Sequence, residues 1–190
     1  LPQDVQGWAY EFPSQFFVER THVIREVCAD PRELASAARI IQSASRPLII
    51  AGGGVQYGDA VEELTNFAEL HQIPVAETIA GRANLLWDHS LNAGPIGVTG
   101  SDSANAMAAE ADVVICVGTR LQDLTTGSWS CFSKGAQLVS VNPGRFDANK
   151  HMATAVIGGA KSSLPELSDL LGDFASGRQW IEKLTQEQAH

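Results

Sequence analysis

The sequence has little of what membrane, nucleic-acid-binding or secreted proteins require. Its longest uncharged apolar run, residues 47–55, is far shorter than the ~20 residues of a membrane helix. The 13 lysines and arginines are scattered among 22 aspartates and glutamates, giving a net charge of −9 and no basic stripe for a phosphate backbone. The three cysteines have neither metal-ligand spacing nor the even count of a disulfide framework. We therefore expect a cytoplasmic protein with no membrane and no nucleic-acid partner.

Signatures of catalysis are also missing from the sequence. The five histidines do not have metal-ligand spacing, no Gly-x-Ser-x-Gly motif occurs, and no cysteine has an obvious base partner. Cys116 lies inside an apolar run, which is typical of a buried core residue. The chain begins at Leu1 without a basic and apolar signal segment, and we expect it to be a piece of a longer protein. We expect neither a catalytic residue nor a metal site in it.

Short apolar runs alternate with amphipathic helical patterns along most of the chain. The runs predict strands at residues 48–51, 73–79, 112–118, 137–142 and 153–158, with a further short strand near 91–96. Because these strands are apolar throughout, both faces of their sheet must be covered, which is typical of parallel sheets. The sequence therefore predicts an α/β fold: a Rossmann-like, doubly wound, mainly parallel sheet of about six strands with helices on both faces.

Capping residues mark three of the predicted helix starts. Asp30, directly before a proline and close to a glutamate, begins the first helix. The pair Asp59 and Glu62 resembles a capping box, in which each side chain accepts a hydrogen bond from the backbone N–H of the other residue. Ser163 with Glu166 also begins a helix. We therefore expect one helix to begin at Asp59 and another at Ser163.

We expect three segments in the chain. Residues 1–29 form an interdomain linker with five aromatic residues that follow no helical or strand period: Trp8, Tyr10, Phe12, Phe16 and Phe17. Such rings pack against something, either a neighbouring domain or, as a strap, the core of this domain. Residues 30–176 form the Rossmann-like domain, and residues 177–190 form a polar linker or helix after a glycine.

The glycines that follow the first predicted strand allow two interpretations. A dinucleotide-binding turn has the pattern Gly-x-Gly-x-x-Gly; here Gly52 and Gly54 match, and Gly58 comes one residue late. Glu77, near the end of the second predicted strand, stands where an acid would bind a ribose. The turn, with Gly53 at its centre, could hold phosphate on its backbone N–H groups or could let strand and helix pack closely.

Two further loops leave the ends of later predicted strands. Gly118, Arg120 and Asp123 belong to the first loop, and Asn142 and Asp147 belong to the second. The carboxyl ends of parallel strands meet at the edge where doubly wound sheets bind their ligands. At that edge Arg120 and Arg145 could hold a phosphate and Asp147 a ribose; alternatively, these are ordinary solvated loop charges.

Several stretches of the sequence resemble one enzyme family. They are RPLIIAGGGV, IPVAET, LNAGPIGVTG, ADVVICVGTRLQDLTTGSW and FDANKH, and together they resemble the central domain of the thiamine-diphosphate-dependent enzymes. The general pattern is similar to that of the acetohydroxyacid synthases. The closer resemblance, in GTRLQDLTTGSW and WDH, is to the branch that hydrolyses a ring C–C bond of a cyclic dione in inositol catabolism. The resemblance extends over residues 2–159.

The resemblance implies a parent enzyme of three domains, assembled as a homodimer or homotetramer. In that family an N-terminal domain supplies the glutamate that activates the thiamine ring. A C-terminal domain binds the diphosphate through Mg²⁺, using a Gly-Asp-Gly stretch and a later Asn, and Gly-Asp-Gly does not occur here. The resemblance therefore implies that thiamine diphosphate and Mg²⁺ bind to other domains of the parent chain, and that this domain holds those domains in place without catalysing.

In the acetohydroxyacid synthases the central domain also holds FAD, through a triple-glycine turn, a Gly-x-Arg-Phe-Asp-Asp loop and an acidic strand end. The turn matches here, but Leu121 and Gln122 depart from the loop, and Asn142 and Pro143 replace the acidic strand end. Because these contacts are incomplete, the resemblance implies FAD or ADP less strongly than thiamine diphosphate. The residues of any such nucleotide site are Gly52, Gly53, Gly54, Gly118, Arg120, Asp123, Asn142 and Asp147.

Overall fold

The computed structural model describes residues 1–189. The strands are β1 (Pro47–Ala51), β2 (Val75–Glu77), β3 (Asn92–Pro95), β4 (Val113–Val117), β5 (Gln137–Val141) and β6 (Thr154–Val156). The helices are α1 (Gln3–Gln6), α2 (Pro31–Gln42), α3 (Gly53–Tyr57), α4 (Val61–His71), α5 (Asp102–Glu110), α6 (Asp123–Thr126), α7 (Arg145–Ala148), α8 (Ala160–Leu171) and α9 (Arg178–Gln188). Short 3₁₀ turns lie at Ser14–Phe17, Ile79–Gly81 and Lys150–Met152. None of these helices is long and apolar enough to cross a membrane.

The six strands form one sheet in the order β3-β2-β1-β4-β5-β6, and every neighbouring pair is parallel. Ile49 of β1 pairs with Val75 on one side and Ile115 on the other. The strand order reverses between β1 and β4, which is the switch point of a doubly wound sheet. The predicted fold class is therefore confirmed. β2 is shorter than predicted because the chain turns at Thr78, whose hydroxyl accepts a hydrogen bond from the Gly81 N–H.

Helices cover both faces of the sheet, as the buried strands require. On one face α2, α4 and α8 pack against the strands through fully buried side chains such as Leu34, Leu64 and Leu164. On the other face α5 and α9 contribute Met107 and Trp180 to a second core. Each of the longer helices presents its apolar stripe to the sheet, and burial of these stripes supplies most of the stabilisation of the helices.

Two of the three predicted helix starts are wrong. The start of the first helix is confirmed, because the Asp30 carboxylate accepts a hydrogen bond from the Arg32 N–H at 2.8 Å. Helix α4, however, begins at Val61 without a side-chain cap, and Asp59 instead pairs with Lys161 Nζ at 2.6 Å. Helix α8 begins at Ala160, so Ser163 lies buried inside it. In neither case does the local capping pattern mark the first residue of the helix.

Most of the N-terminal segment, residues 1–29, lies apart from the two cores, and Ala29 at its end packs against the first core. The aromatic side chains of the segment are 53–73% exposed. Four of them, Tyr10, Phe12, Phe16 and Phe17, contact one another, with the Phe12 and Phe16 ring centroids 4.8 Å apart. The interpretation of this segment as a strap across the core of its own domain is therefore wrong. Near its end the segment is attached to the domain, because the Gly159 N–H donates a hydrogen bond to the Val27 carbonyl at 2.7 Å.

The segment after Gly177 forms helix α9, and this helix packs onto the domain. Trp180 and Leu184 are buried in the second core, and the Trp180 Nε1–H donates to the Pro47 carbonyl at 2.8 Å. Near the end of the helix, Gln188 Nε2 donates to the Asn92 carbonyl at 2.7 Å. The helix thus contacts the first residues of β1 and β3, at the amino end of the sheet.

Candidate functional site

A cavity of about 980 Å³ lies at the carboxyl end of the sheet. Its walls come from the turns that follow four strands: Gly52–54 after β1, Thr78–80 after β2, Gly118–120 after β4 and Asn142–143 after β5. Residues 24–27 of the N-terminal segment and the start of α8 complete the wall. The cavity therefore occupies the place where doubly wound sheets bind ligands.

Seven of the eight predicted site residues line this cavity: Gly52, Gly53, Gly54, Gly118, Arg120, Asn142 and Asp147. Asp123 is not among the lining residues and lies exposed at the start of α6. Its neighbours Gln122 and Leu124 line the cavity instead. The three predicted loops thus meet at one edge, although Asp123, in the loop after β4, lies outside the cavity.

The triple-glycine turn is a place where backbones meet very closely. A Cβ on Gly52 would lie 2.3 Å from the Gly118 carbonyl oxygen, and one on Gly54 would lie 2.7 Å from Gly118 Cα. Gly118 itself has a φ of +59°, which side-chain-bearing residues rarely adopt. Gly53 packs against the turn after β2, where a Cβ would lie 2.8 Å from the Ala80 carbonyl oxygen. Each glycine is therefore explained by the packing of these turns.

Two N–H groups of the turn are used inside the protein. The Gly52 N–H donates to the Val117 carbonyl at 2.8 Å, and the Gly54 N–H donates to the Gly118 carbonyl at 2.9 Å. A phosphate-binding turn needs N–H groups that point at the ligand. These two donors therefore serve to join the ends of β1 and β4.

The polar side chains at the carboxyl end of β5 are also engaged within the protein. Asn142 is buried, donates from Nδ2 to the Thr119 carbonyl at 3.1 Å, and accepts from the Gly144 N–H at 2.8 Å. Asp147 forms an ion pair of 2.6 Å with Lys150. Arg120 is exposed at the cavity wall, so its guanidinium faces solvent.

Glu77, the predicted ribose-binding acid, has a different role. Its side chain is buried, and its Oε1 accepts a hydrogen bond from the Leu85 N–H at 2.9 Å. The carboxylate thereby holds the loop between β2 and β3, and it does not line the cavity. The ribose-binding interpretation of Glu77 is not supported by this geometry, because the side chain turns away from the ligand edge.

The turn after β2 was missed by reasoning from the sequence. Thr78, Ile79 and Ala80 line the cavity, yet they carry neither a glycine pattern nor a charge. The available signal was topological, since every strand of a parallel sheet ends at the same edge and β2 is the neighbour of β1. A search restricted to glycine and charge motifs does not find such cavity-lining residues.

The thiols in this part of the chain are poor nucleophiles. Burial raises the pKa of the Cys116 thiol to about 12, and partial burial raises the pKa of Cys131, so both are protonated at neutral pH. Among residues 1–189 there is also no group of three or more His, Cys, Asp or Glu side chains that could hold a metal ion. The cavity wall is mainly apolar and also carries five charged residues: Arg25, Glu26, Asp59, Arg120 and Asp147.

A comparison with protein families adds to this geometry. The family described as the central domain of thiamine pyrophosphate enzymes matches residues 34–167, which include the sheet and the cavity turns. The chain belongs to this family.

Curated relatives of this central domain share one name, 3D-(3,5/4)-trihydroxycyclohexane-1,2-dione hydrolase. The protein of Geobacillus thermodenitrificans is 43% identical over 93% of this chain, and that of Clostridium perfringens is 46% identical over 90%. The chain spans 27% of the length of each relative. A solved structure assigned to a thiamin diphosphate-dependent enzyme of Mycobacterium smegmatis matches with a TM-score of 0.69 over 81% of this chain and 30% of its own, and at 23% identity it supports the fold alone.

The cavity of this central domain fits a nucleotide in size but not in its polar groups. A volume of about 980 Å³ is at the upper end of small-molecule sites. The N–H groups of Gly52 and Gly54 and the amide of Asn142 are, however, already hydrogen-bonded within the protein. Three of the groups that could bind a pyrophosphate or a ribose are therefore engaged within the protein, whereas Arg120 is exposed at the cavity wall.

Proposed function

We propose that the parent protein is a thiamine-diphosphate- and Mg²⁺-dependent hydrolase that cleaves a ring C–C bond of a trihydroxycyclohexanedione in inositol catabolism. The identity of 43–46% with relatives named for hydrolysis of that dione supports the proposal. In the reaction one ring carbon gains the hydroxyl of water and becomes a carboxylic acid, and the other gains a hydrogen. When bound, thiamine diphosphate supplies a nucleophilic carbon and stabilises the carbanion that C–C cleavage produces.

Within that enzyme, this chain is a supporting domain that contributes no reacting group. Its buried titratable side chains make structural contacts: His71 hydrogen-bonds through both ring nitrogens, to the Phe174 carbonyl and to Ser168 Oγ, each at 2.7 Å. The sheet provides a rigid base on which neighbouring domains can be fixed. Thiamine diphosphate and Mg²⁺ would be bound by those domains.

The N-terminal segment, residues 1–29, serves in this proposal as the linker that packs on a neighbouring domain. Its exposed rings supply apolar surface that isolated water-facing segments rarely carry. Residues 30–176 are the central domain, and α9 (Arg178–Gln188) packs on it. The parent enzyme would work as a homodimer or homotetramer in the cytoplasm, where the free thiols of Cys28, Cys116 and Cys131 persist.

The experiment is an assay of the full-length parent protein with the trihydroxycyclohexanedione, followed by NMR of the products. We expect a ring-opened acid that forms when thiamine diphosphate and Mg²⁺ are present and is not formed when thiamine diphosphate is left out. Incubation with two 2-keto acids is the matched control for a synthase-type relative. Joining of keto acids without hydrolysis of the dione would contradict the proposal and favour an acetolactate-synthase-like enzyme.

Nucleotide binding is a second candidate function of the carboxyl-end cavity. The volume of the cavity and its place at the switch point favour it, whereas the engaged N–H groups of Gly52 and Gly54 count against it. FAD or ADP would lie along the glycine turn, with Arg120 next to a phosphate. An autonomous dinucleotide-binding module would bind such a ligand without any other domain, so titration of this chain alone tests the candidate.

A further inference from the structure

Exposed apolar side chains surround the mouth of the carboxyl-end cavity. Ile79 and Leu124 are 61% and 63% exposed, and Tyr57 and Ile24 are each 94% exposed; all four line the cavity. They come from the turn after β2, from α6, from α3 and from the N-terminal segment, so four separate parts of the chain contribute. We call these four residues the mouth residues. Apolar groups that meet around one concavity mark a surface that contacts another molecule or domain.

The polar groups beneath the mouth give little reason to assign the surface to a polar ligand. Thr119 Oγ1 accepts from the Leu121 N–H at 3.3 Å, and Thr78 Oγ1 accepts from the Gly81 N–H at 3.1 Å. Asn142 Oδ1 likewise accepts from the Gly144 N–H, so each of these side chains already accepts a hydrogen bond from neighbouring backbone. A buried acceptor that is already hydrogen-bonded gains little from a second partner. The mouth therefore offers mainly apolar contact, with the exposed charged residues Arg25, Glu26 and Arg120 on the same cavity wall.

We propose that another domain of the same parent polypeptide covers the mouth residues with an apolar face. The chain spans 27% of the length of its curated relatives, so most of such a polypeptide lies outside this chain. A covering domain on the same polypeptide is present at high effective concentration, so it needs no separate binding partner. The proposal rests on the proposed function, which requires further domains in the parent chain.

The mouth is distinct from the aromatic part of the N-terminal segment. The aromatic side chains lie at residues 8–17 and contact one another, whereas the same segment reaches the cavity at residues 24–27. The aromatic residues and the mouth residues are therefore two separate exposed apolar surfaces of this chain. The mouth residues are the surface next to the ligand edge of the sheet, where a covering domain would also exclude water from the cavity.

The experiment measures thiol labelling in the full-length parent protein, freed of bound nucleotide. Ile79→Cys, Leu124→Cys and Leu70→Cys are made in a Cys28→Ser background, and labelling by a maleimide is followed by peptide mass spectrometry. Leu70 is the matched control, because it is 63% exposed, like Leu124, but lies on α4 and does not line this cavity. We expect the cysteines at 79 and 124 to react at least about tenfold more slowly than the one at 70, since the interface must open first.

Three results would overturn the proposal. Equal labelling at positions 79, 124 and 70 would show that nothing covers the mouth. Protection that appears only after FAD or ADP is added would make the cover a nucleotide. Protection that is lost when the protein is diluted to a monomer would make the cover a second copy of the chain.

A photo-cross-linker on Leu124→Cys identifies the cover. We expect cross-linked peptides from the same polypeptide but from outside this chain; peptides from residues 1–29 would assign the cover to the N-terminal segment and contradict the proposal. Labelling and cross-linking need neither substrate nor thiamine diphosphate. Their failure would therefore leave the proposed hydrolase activity standing, and loss of that activity would leave the labelling result interpretable.

Discussion

At its amino end the sheet is closed by the protein's own side chains, whereas at its carboxyl end it opens into a cavity surrounded by exposed apolar groups. At the amino end, Trp180 donates to the Pro47 carbonyl, and Asp112 accepts the N–H groups of Ser45 and Arg46. At the carboxyl end, Ile79 and Leu124 face outward beside the cavity. The difference indicates that the amino end stabilises the domain, while the carboxyl end is shaped for contact with something beyond this chain.

The largest expected loss of stability comes from removing a buried side chain at the amino end of the sheet. Trp180→Ala removes a buried ring and its hydrogen bond to Pro47, and we expect the free energy of unfolding to fall by about 3–5 kcal/mol. Trp87→Ala is the matched control, because Trp87 is 89% exposed and its loss should change stability by no more than about 0.5 kcal/mol. Urea unfolding followed by circular dichroism measures both. Equal losses in the two variants would contradict the claim that the buried Trp180 stabilises the amino end of the sheet.

At the carboxyl end, stability depends on backbone packing more than on side chains. Gly118→Ala places a Cβ 2.7 Å from the Val55 nitrogen at a φ of +59°, and we expect a loss of about 1–3 kcal/mol. Gly135→Ala is the control, since nothing lies within 4 Å of a Cβ there. Thermal unfolding of the two variants would show whether the glycine turn is held by close packing. An unchanged melting temperature for Gly118→Ala would contradict that account.

A smaller effect is expected where the amino end is held by a single carboxylate. Asp112→Ala leaves the N–H groups of Ser45 and Arg46 without their acceptor, and each bond is 2.9 Å long. Because water can replace the carboxylate in part, we expect a loss of about 1 kcal/mol in the free energy of unfolding. The exposed Asp88→Ala provides the comparison in the same urea experiment. If Asp112→Ala lowered the free energy of unfolding as much as Trp180→Ala, the account of a partly water-replaceable contact at Asp112 would be contradicted.

The smallest effect concerns an exposed ion pair at the carboxyl end. The Lys161 ammonium, which hydrogen-bonds to Asp59, lowers the pKa of that carboxyl below its usual value. A carboxyl with a lowered pKa in the folded state stabilises the protein above its unfolded pKa, and this contribution is lost as pH falls through the folded pKa. Asp59→Asn should therefore lower the melting temperature slightly at neutral pH and not at acidic pH. A difference that persists at acidic pH would point to packing instead of charge.

The sequence was most informative where burial alone decides structure. The run from Val113 to Val117 is apolar at every position and forms a central strand with all five side chains buried. Asp30 caps α2 because its partner N–H lies two residues away, so the contact is local. Predictions that depend on a run of apolar residues or on a neighbour in sequence needed no knowledge of the rest of the chain.

The remaining features depend on contacts between distant parts of the chain. Asp59 pairs with Lys161, 102 residues away, and no capping pattern could reveal that competitor. Glycine spacing predicted the position of Gly52–54 but not that Gly118 would lie against them, which decides between a ligand turn and a packing turn. Ile79 lines the cavity because β2 lies next to β1 in the sheet, and no sequence motif marks this residue.

Calorimetric titration of this chain with thiamine diphosphate and Mg²⁺, FAD and ADP tests the central claim, that this is a supporting domain whose cofactor binds elsewhere in the parent. We expect no saturable heat with any of these ligands, because two of the turn's N–H groups and the Asn142 amide are already hydrogen-bonded within the protein. Saturable binding of thiamine diphosphate would contradict the claim. Binding of FAD or ADP that is lost in Gly53→Val would make the glycine turn a nucleotide site.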